Sequence, residues 1–235
     1  MEKEALIKHI AFIMDGNRRW AKKHNLPIAM GHRKGAETLT EIAKAVKNAG
    51  IKYMTVYAFS TENWGREKQE VDTLMELLRN YLNKGFKELQ ENDARILFIG
   101  EKYMLADDIR AKMEQIERET AENKAITLCV ALSYGSRQEI IHAVRKIAEE
   151  ATDGKIDVKK IDENSFSQYL YTKDIPDPDL VIRTSGEKRI SNYLLWQIAY
   201  SEFYFSDTLW PDFSEKELKE IMDDYSKRER RYGKS

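Results

Sequence analysis

The chain has 235 residues, 39 Lys+Arg against 40 Asp+Glu, a formal net charge of -1, and 42% hydrophobic residues. That length suits one large domain or two small ones and buries enough surface to fold without disulfides or metal. The apolar fraction excludes a disordered polymer, and near-neutrality argues against a general nucleic-acid binder. Cys129 is the only cysteine, so no intrachain disulfide forms and a cysteine-based zinc site is disfavoured.

The N-terminal stretch Met1–His9 mixes acids with bases and lacks an apolar segment, so no signal peptide is expected. No run approaches the ~20 apolar residues of a membrane span. Five short runs read as strands: Ile10–Met14, Tyr53–Phe59, Arg95–Ile99, Ile126–Leu132 and Leu180–Ile182. Several are apolar at successive positions, the pattern of a parallel sheet covered on both faces. Between them, Leu39, Ile42, Ala43 and Val46 recur at helical spacing. So do Leu74, Leu77, Leu78, Tyr81, Leu82, Phe86 and Leu89; Leu105, Ile109, Met113 and Ile116; and Ile140, Ile141, Val144, Ile147 and Ala148. Gly50 marks a helix end, Asp153-Gly154 a turn, and Ser214 with Glu217 a capping box. The alternation predicts an α/β single domain over residues 1–235, with a mostly parallel sheet.

Chemistry-bearing residues gather after the strands, where open parallel sheets hold their ligands. The first strand ends in Met14-Asp15-Gly16-Asn17-Arg18-Arg19-Trp20, with Asn17 as the expected N-cap of the next helix. A helix N-terminus suits an anion, and two arginines in its first turn oppose the dipole unless an anion is bound. A capped turn with solvated arginines explains the motif equally well. Next, Gly31-His32-Arg33-Lys34-Gly35 reads as a glycine-flanked cationic loop, although it is no Walker A sequence.

After the second strand come Ser60, Thr61, Glu62, Asn63, Trp64 and Arg66. After the fifth come Arg183, Thr184, Ser185, Gly186, Arg189, Ile190 and Ser191. A guanidinium ending a buried strand needs a partner, either a bound diphosphate or a protein carboxylate. Glu202 lies in an aromatic run, on a solvated face or as a metal ligand. Acids and bases together suit a diphosphate with a hard divalent cation.

These segments resemble the cis-prenyltransferases, the bacterial undecaprenyl diphosphate synthases among them. The matching stretches are His9–Trp20, Gly31-His32-x-x-Gly35, Tyr57–Trp64, Asp179–Glu187, Arg189–Asn192, Leu195–Tyr200 and Leu209–Phe213, in order along nearly the whole chain. The resemblance implies about six strands flanked by helices around an apolar tunnel. The implied reaction is Mg²⁺-dependent condensation of an allylic diphosphate, such as (2E,6E)-farnesyl diphosphate, with successive isopentenyl diphosphates to a long cis-polyprenyl diphosphate. Undecaprenyl diphosphate for the cell-wall lipid carrier is the default product.

By the same resemblance Asp15 is catalytic and holds the metal, together with a Glu202 supplied by the second subunit of a homodimer. Asn63 is catalytic as a positioning group or proton acceptor, although an amide is a poor base. Gly16, Asn17, Arg18, Arg19 and His32 bind the allylic diphosphate, and Trp20 is a further substrate-binding residue. Arg183, Arg189 and Ser191 bind isopentenyl diphosphate, and Ser60, Thr61, Glu62, Trp64, Arg66 and Ile190 complete the substrate site. A cytoplasmic protein touching the inner membrane face through its lipid product is expected, with no nucleic-acid partner.

Two rival readings remain: a non-catalytic partner subunit, which generally loses the catalytic aspartate and the arginine pair, and a general phosphate-binding α/β domain. Two features depart from the family pattern, and a third agrees with it. Ile28 occupies the place of a usual arginine toward the allylic substrate, and Ser133-Tyr-Gly-Ser136 replaces Asn-Tyr-Gly-Gly. The Arg230–Gly233 end matches a basic tail that reaches the isopentenyl site. Six Lys/Arg against one acid fall between Asp15 and Gly35, so near-neutrality conceals a local +5.

Overall fold

Six strands align in one wholly parallel sheet, ordered β3-β4-β2-β1-β5-β6. The computed structural model describes residues 7–228 apart from 86, 87, 89 and 90. The strands are β1 His9–Ile13, β2 Tyr53–Ser60, β3 Ala94–Ile99, β4 Ile126–Tyr134, β5 Leu180–Arg183 and β6 Glu202–Phe205. The helices are α1 Asn17–Lys23, α2 Ile28–Asn48, α3 Lys68–Asn80, α4 Asp107–Glu119, α5 Ser136–Thr152, α6 Glu163–Ser167 and α7 Glu215–Ser226. The expected Phe86 and Leu89 of the α3 stripe, and the Arg230–Gly233 tail, lie outside the described residues.

Strand alternation divides the core in two. Ile10, Phe12, Met54, Val56, Leu128 and Val130 face one way and pack under α2, α4 and α7. Ala11, Ile13, Cys129 and Ala131 face the other way and meet Tyr193, Leu194 and Ile198. Both sets are buried, which is why the strands read as nearly continuous apolar runs. Cys129 is 1% exposed, and burial pushes its thiol up to about 12.

The predicted strands and the Gly50 and Gly154 helix ends are present, both glycines with positive φ. Ser214 accepts the Glu217 N–H at 3.3 Å as the N-cap of α7. Four expectations change. Asn17 is the first helical residue of α1, and the cap is Gly16 at φ 112°. Its Cβ position would lie 3.0 Å from Leu209, so glycine alone suits this turn.

Gly31 and Gly35 do not form a loop. They lie inside α2, where a Cβ would stand 2.1 Å from the Asn17 carbonyl oxygen and 2.2 Å from its Oδ1. Their missing side chains let α1 rest directly on α2. The third change is α5, which turns Ile141 and Val144 outward at 50% and 48% exposure. It buries Glu139 instead, because that carboxylate accepts from Tyr134 Oη at 2.5 Å, Gln197 Nε2 at 3.0 Å and the Tyr171 N–H at 2.8 Å. The fourth is β6, a short half-buried strand that the periodicity does not single out.

Candidate active site

Strands β1, β2 and β5 are neighbours, and their carboxyl ends open on one cavity of about 760 Å³. Asp15 follows β1, Ser60 ends β2, and Arg183 ends β5. The lining brings together Asp15, Gly16, Asn17, Arg18, Arg19, His32, Ser60, Glu62, Asn63, Arg66, Arg183, Arg189 and Ser191. Five arginines thus face two carboxylates, a surplus of positive charge suited to an anion.

The arginines are held rather than adrift. Arg183 is 4% exposed; its Nη2 lies 2.9 Å from Asp15 Oδ2, and its Nη1 donates to Ser191 Oγ at 2.8 Å and to the Arg189 carbonyl. Its buried Nε has no protein partner. Arg19 donates to the Ser185 carbonyl at 3.0 Å and to Ser185 Oγ, and reaches Asp15 Oδ2 at 3.3 Å. Arg66 and Arg18 share Glu70, at 2.9 and 3.4 Å. Arg189 pairs with Glu187, which also faces Arg19 at 3.5 Å. The partner demanded by the guanidinium at the end of β5 is therefore the Asp15 carboxylate.

His32 sits among these cations. Burial, and then the charge of Arg66, lower its pKa to about 4, so the ring is neutral near pH 7. Its Nε2 is buried without a protein partner. Asn63 closes a capping box at the Thr61–Gly65 3₁₀ turn: its Oδ1 accepts the Ser60 N–H at 3.1 Å, while Ser60 accepts the Asn63 N–H. The acceptor end of Asn63 is thus engaged by the backbone. Burial alone would raise the Glu62 carboxyl, but hydrogen bonds led by Asn192 Nδ2 at 2.8 Å outweigh it and hold the group below the usual carboxylate range.

Other expected residues lie outside the lining. Trp20 donates to Asp212 at 2.6 Å and packs on His24, and Trp64 donates to Ser133 Oγ at 2.9 Å and packs on Phe59. Thr61 keeps a buried hydroxyl, and Ile190 joins the core beneath the site. Ile28 starts α2 at 42% exposure, one turn before His32. Glu202 opens β6 level with Leu180 and Ile10, at the amino end of the sheet, where it pairs with Arg228 at 3.0 Å. It is three residues back and two strands across from Ile13, roughly 10 Å in each direction. One chain cannot bring Asp15 and Glu202 to one ion.

The lining also includes Tyr57 and Asn192, which the sequence did not single out as site residues. The Tyr57 hydroxyl donates to the Ser191 carbonyl at 3.3 Å and the Tyr134 carbonyl at 3.1 Å. Asn192, at φ 61°, joins Glu62 to Gln138 through Nδ2 and accepts the Arg137 N–H at 2.9 Å. Ser185, Ser191, Asn192 and Leu194 all have positive φ, a concentration of backbone strain typical of ligand loops. The available signal was Asn in a short polar turn.

An apolar cavity of about 140 Å³ adjoins the cationic one, sharing Met14, His32, Phe59 and Leu74. It runs between α2 and α3 along Leu39, Leu77, Leu78 and Tyr81. The half-buried side of the α3 stripe therefore faces a cavity rather than solid core. The arrangement can hold diphosphate oxygens beside a hydrocarbon. Asp15 offers the hard oxygen that suits Mg²⁺, an ion commonly bound by one or two carboxylates plus substrate phosphates.

The family model described as "Putative undecaprenyl diphosphate synthase" matches residues 13–233. The isoprenyl transferase of Fusobacterium nucleatum is 52% identical over 233 residues, covering 99% of this chain and 98% of its own length. That of Thermotoga maritima is 46% identical over 226 residues, 96% of each chain. Among solved structures, lavandulyl diphosphate synthase from Lavandula x intermedia, in complex with dimethylallyl diphosphate, matches with TM-score 0.95 and 36% identity over 99% of this chain and 100% of that one. A Campylobacter jejuni protein described as a probable undecaprenyl diphosphate synthase matches with TM-score 0.81 and 34% identity over the full length of both. With its parallel sheet, arginine-lined cavity and near-complete match to these proteins, the chain belongs to the undecaprenyl diphosphate synthase family, and is an enzyme of the cis-prenyltransferase kind.

Proposed function

We propose that the protein condenses a farnesyl-type allylic diphosphate with successive isopentenyl diphosphates into a long cis-polyprenyl diphosphate, undecaprenyl diphosphate for cell-wall lipid carrier synthesis. The carrying observation is the junction of a five-arginine cavity, which holds Asp15, with an apolar one at Asn17 and His32. Neither a general phosphate binder nor a non-catalytic subunit needs both halves together with the Asp15, Arg183 and Arg189 set.

The amides at the start of α1, with Arg18 and Arg19, bind the allylic diphosphate. As its C–O bond breaks, negative charge grows on the leaving group, and these donors stabilise it. The apolar walls exclude water from the allyl cation. Arg183, Arg189 and Ser191 hold isopentenyl diphosphate so that its double bond attacks that cation and forms the new C–C bond. Asn63 positions the reacting groups through its free Nδ2, and the proton released passes to the departing diphosphate. Neutral His32 donates a hydrogen bond without adding charge. Asp15 would hold Mg²⁺, which would supply further neutralisation of the diphosphate. Glu202 of one subunit completes the ion site of the other in a homodimer, for which the outward Ile141 and Val144 offer apolar surface. The product, being a lipid, brings the enzyme to the membrane periphery.

The test incubates purified protein with farnesyl diphosphate, labelled isopentenyl diphosphate and Mg²⁺, and sizes the products by chromatography. A long polyprenyl diphosphate that disappears with EDTA is expected. No incorporation by folded protein, or full activity in Asp15→Ala, sinks the reading.

A further inference from the structure

The turn between α1 and α2 is unlike the rest of the surface. Residues Lys22 to Ile28 are all exposed. At this convex tip Leu26, Ile28 and Met30 keep 40%, 42% and 41% of their surface in water. Asn25, at φ 55°, makes the turn, and the Leu26 N–H bonds the Ala21 carbonyl at 2.9 Å, so the tip is a fixed shape. Lys22 and Lys23 stand beside it with no ion pair among the described residues. Arg33 and Lys34 follow one turn into α2, with Glu37 and Glu41 at 3.7 to 4.0 Å as the nearby acids.

We propose that this tip docks the enzyme on an anionic lipid surface, with the apolar side chains in the headgroup region and the lysines against lipid phosphates. Small apolar tips ringed by cations suit an interface. A stable protein contact buries about 800 Å² on each partner, more than three side chains on a convex turn present. The tip also adjoins the cavity mouth, since His32 is four residues beyond Ile28 on the same helix face. Docking there would place the mouth beside the bilayer that takes up the product. That benefit rests on the proposed lipid-forming activity; the surface chemistry does not.

The test is flotation of the full-length protein, without substrates, on vesicles of phosphatidylcholine alone or with one third phosphatidylglycerol. Binding to the anionic vesicles that falls with salt is expected. Lys22→Gln/Lys23→Gln should lower the partition coefficient roughly 30-fold. Leu26→Ser/Met30→Ser should lower it at least tenfold. Turnover of both on soluble substrates should stay within about twofold of wild type. Binding indifferent to lipid charge, or unchanged in both variants, overturns the proposal. So does a change of sedimentation mass in Leu26→Ser/Met30→Ser, which would make the tip a protein interface. Vesicle binding by a protein that proves inactive leaves docking standing and sinks the function. An active enzyme that ignores vesicles does the reverse.

Discussion

Asp15 Oδ2 lies 2.9 Å from Arg183 Nη2, across the gap between the ends of β1 and β5. The carboxylate proposed to hold Mg²⁺ is thus bound to the guanidinium proposed to hold isopentenyl diphosphate. On the proposed function, loading the site would exchange partners, with Asp15 turning to the cation and Arg183 to phosphate. Asp15→Asn should therefore fold, since the amide still accepts from Arg183, but lose about 10³-fold in turnover. Steady-state rates together with a thermal melt check both halves.

Arg183→Lys keeps the charge and loses the fork that reaches Asp15, Ser191 and the Arg189 carbonyl at once. The KM for isopentenyl diphosphate should rise about 10- to 100-fold, with a smaller effect on the allylic substrate. Equal effects on both would place Arg183 in a shared role.

Ile28 stands one turn before His32 on the side that meets the cavity. Ile28→Arg adds a cation at the mouth and should lower the KM for the allylic diphosphate roughly fivefold, whereas Ile28→Ala should leave it unchanged. Initial rates at varied allylic substrate decide this.

The 140 Å³ apolar cavity holds only about five water-sized volumes, far less than a long prenyl tail needs. On the proposed function, product growth should part α3 from α2. Ala36→Leu, which fills the gap from the α2 side, should shorten the product while sparing the first condensation. Thin-layer chromatography of dephosphorylated products will show this, and an unchanged length distribution would remove Ala36 from the growth path.

His9 is 1% exposed, with its ring nitrogens 2.6 Å from the Pro176 carbonyl and 2.7 Å from Thr55 Oγ1. Burial lowers its pKa from 6.5 to about 4, against smaller opposing effects of Pro176 and Asp179. Between those two values the unfolded chain binds the proton and the folded one does not. Stability therefore rises with pH across that window, by on the order of 3 kcal/mol, and is fully present above about 6.5. His32 acts in the same direction. In thermal melts at pH 7 and pH 4.5, His9→Gln should narrow the difference between the two.

What could be read from the sequence was whatever depends on neighbours in the chain. Strands β1 to β5 and the stripes of α2 and α4 are periodic signals, and the site motifs follow strand ends. The misread residues depend on distant partners. Gly31 and Gly35 look alike in a phosphate loop and in a close helix crossing, and only the position of Asn17 separates the two. Glu139 reads as a surface residue until Gln197, 58 positions away, reaches it. The Asn192 bridge needs Glu62, 130 positions away. Strand β6 is four residues long and half-buried, too short for a period.

Cys129 lies inside β4 with its thiol far above neutral pH. Since it is the only cysteine and is buried, the folded protein presents no accessible thiol to maleimide. Any cysteine engineered onto the surface becomes a unique attachment point without first deleting another. A dye at position 26 would report solvent polarity at the α1–α2 turn, and a spin label on α3 would follow its separation from α2 as the product lengthens.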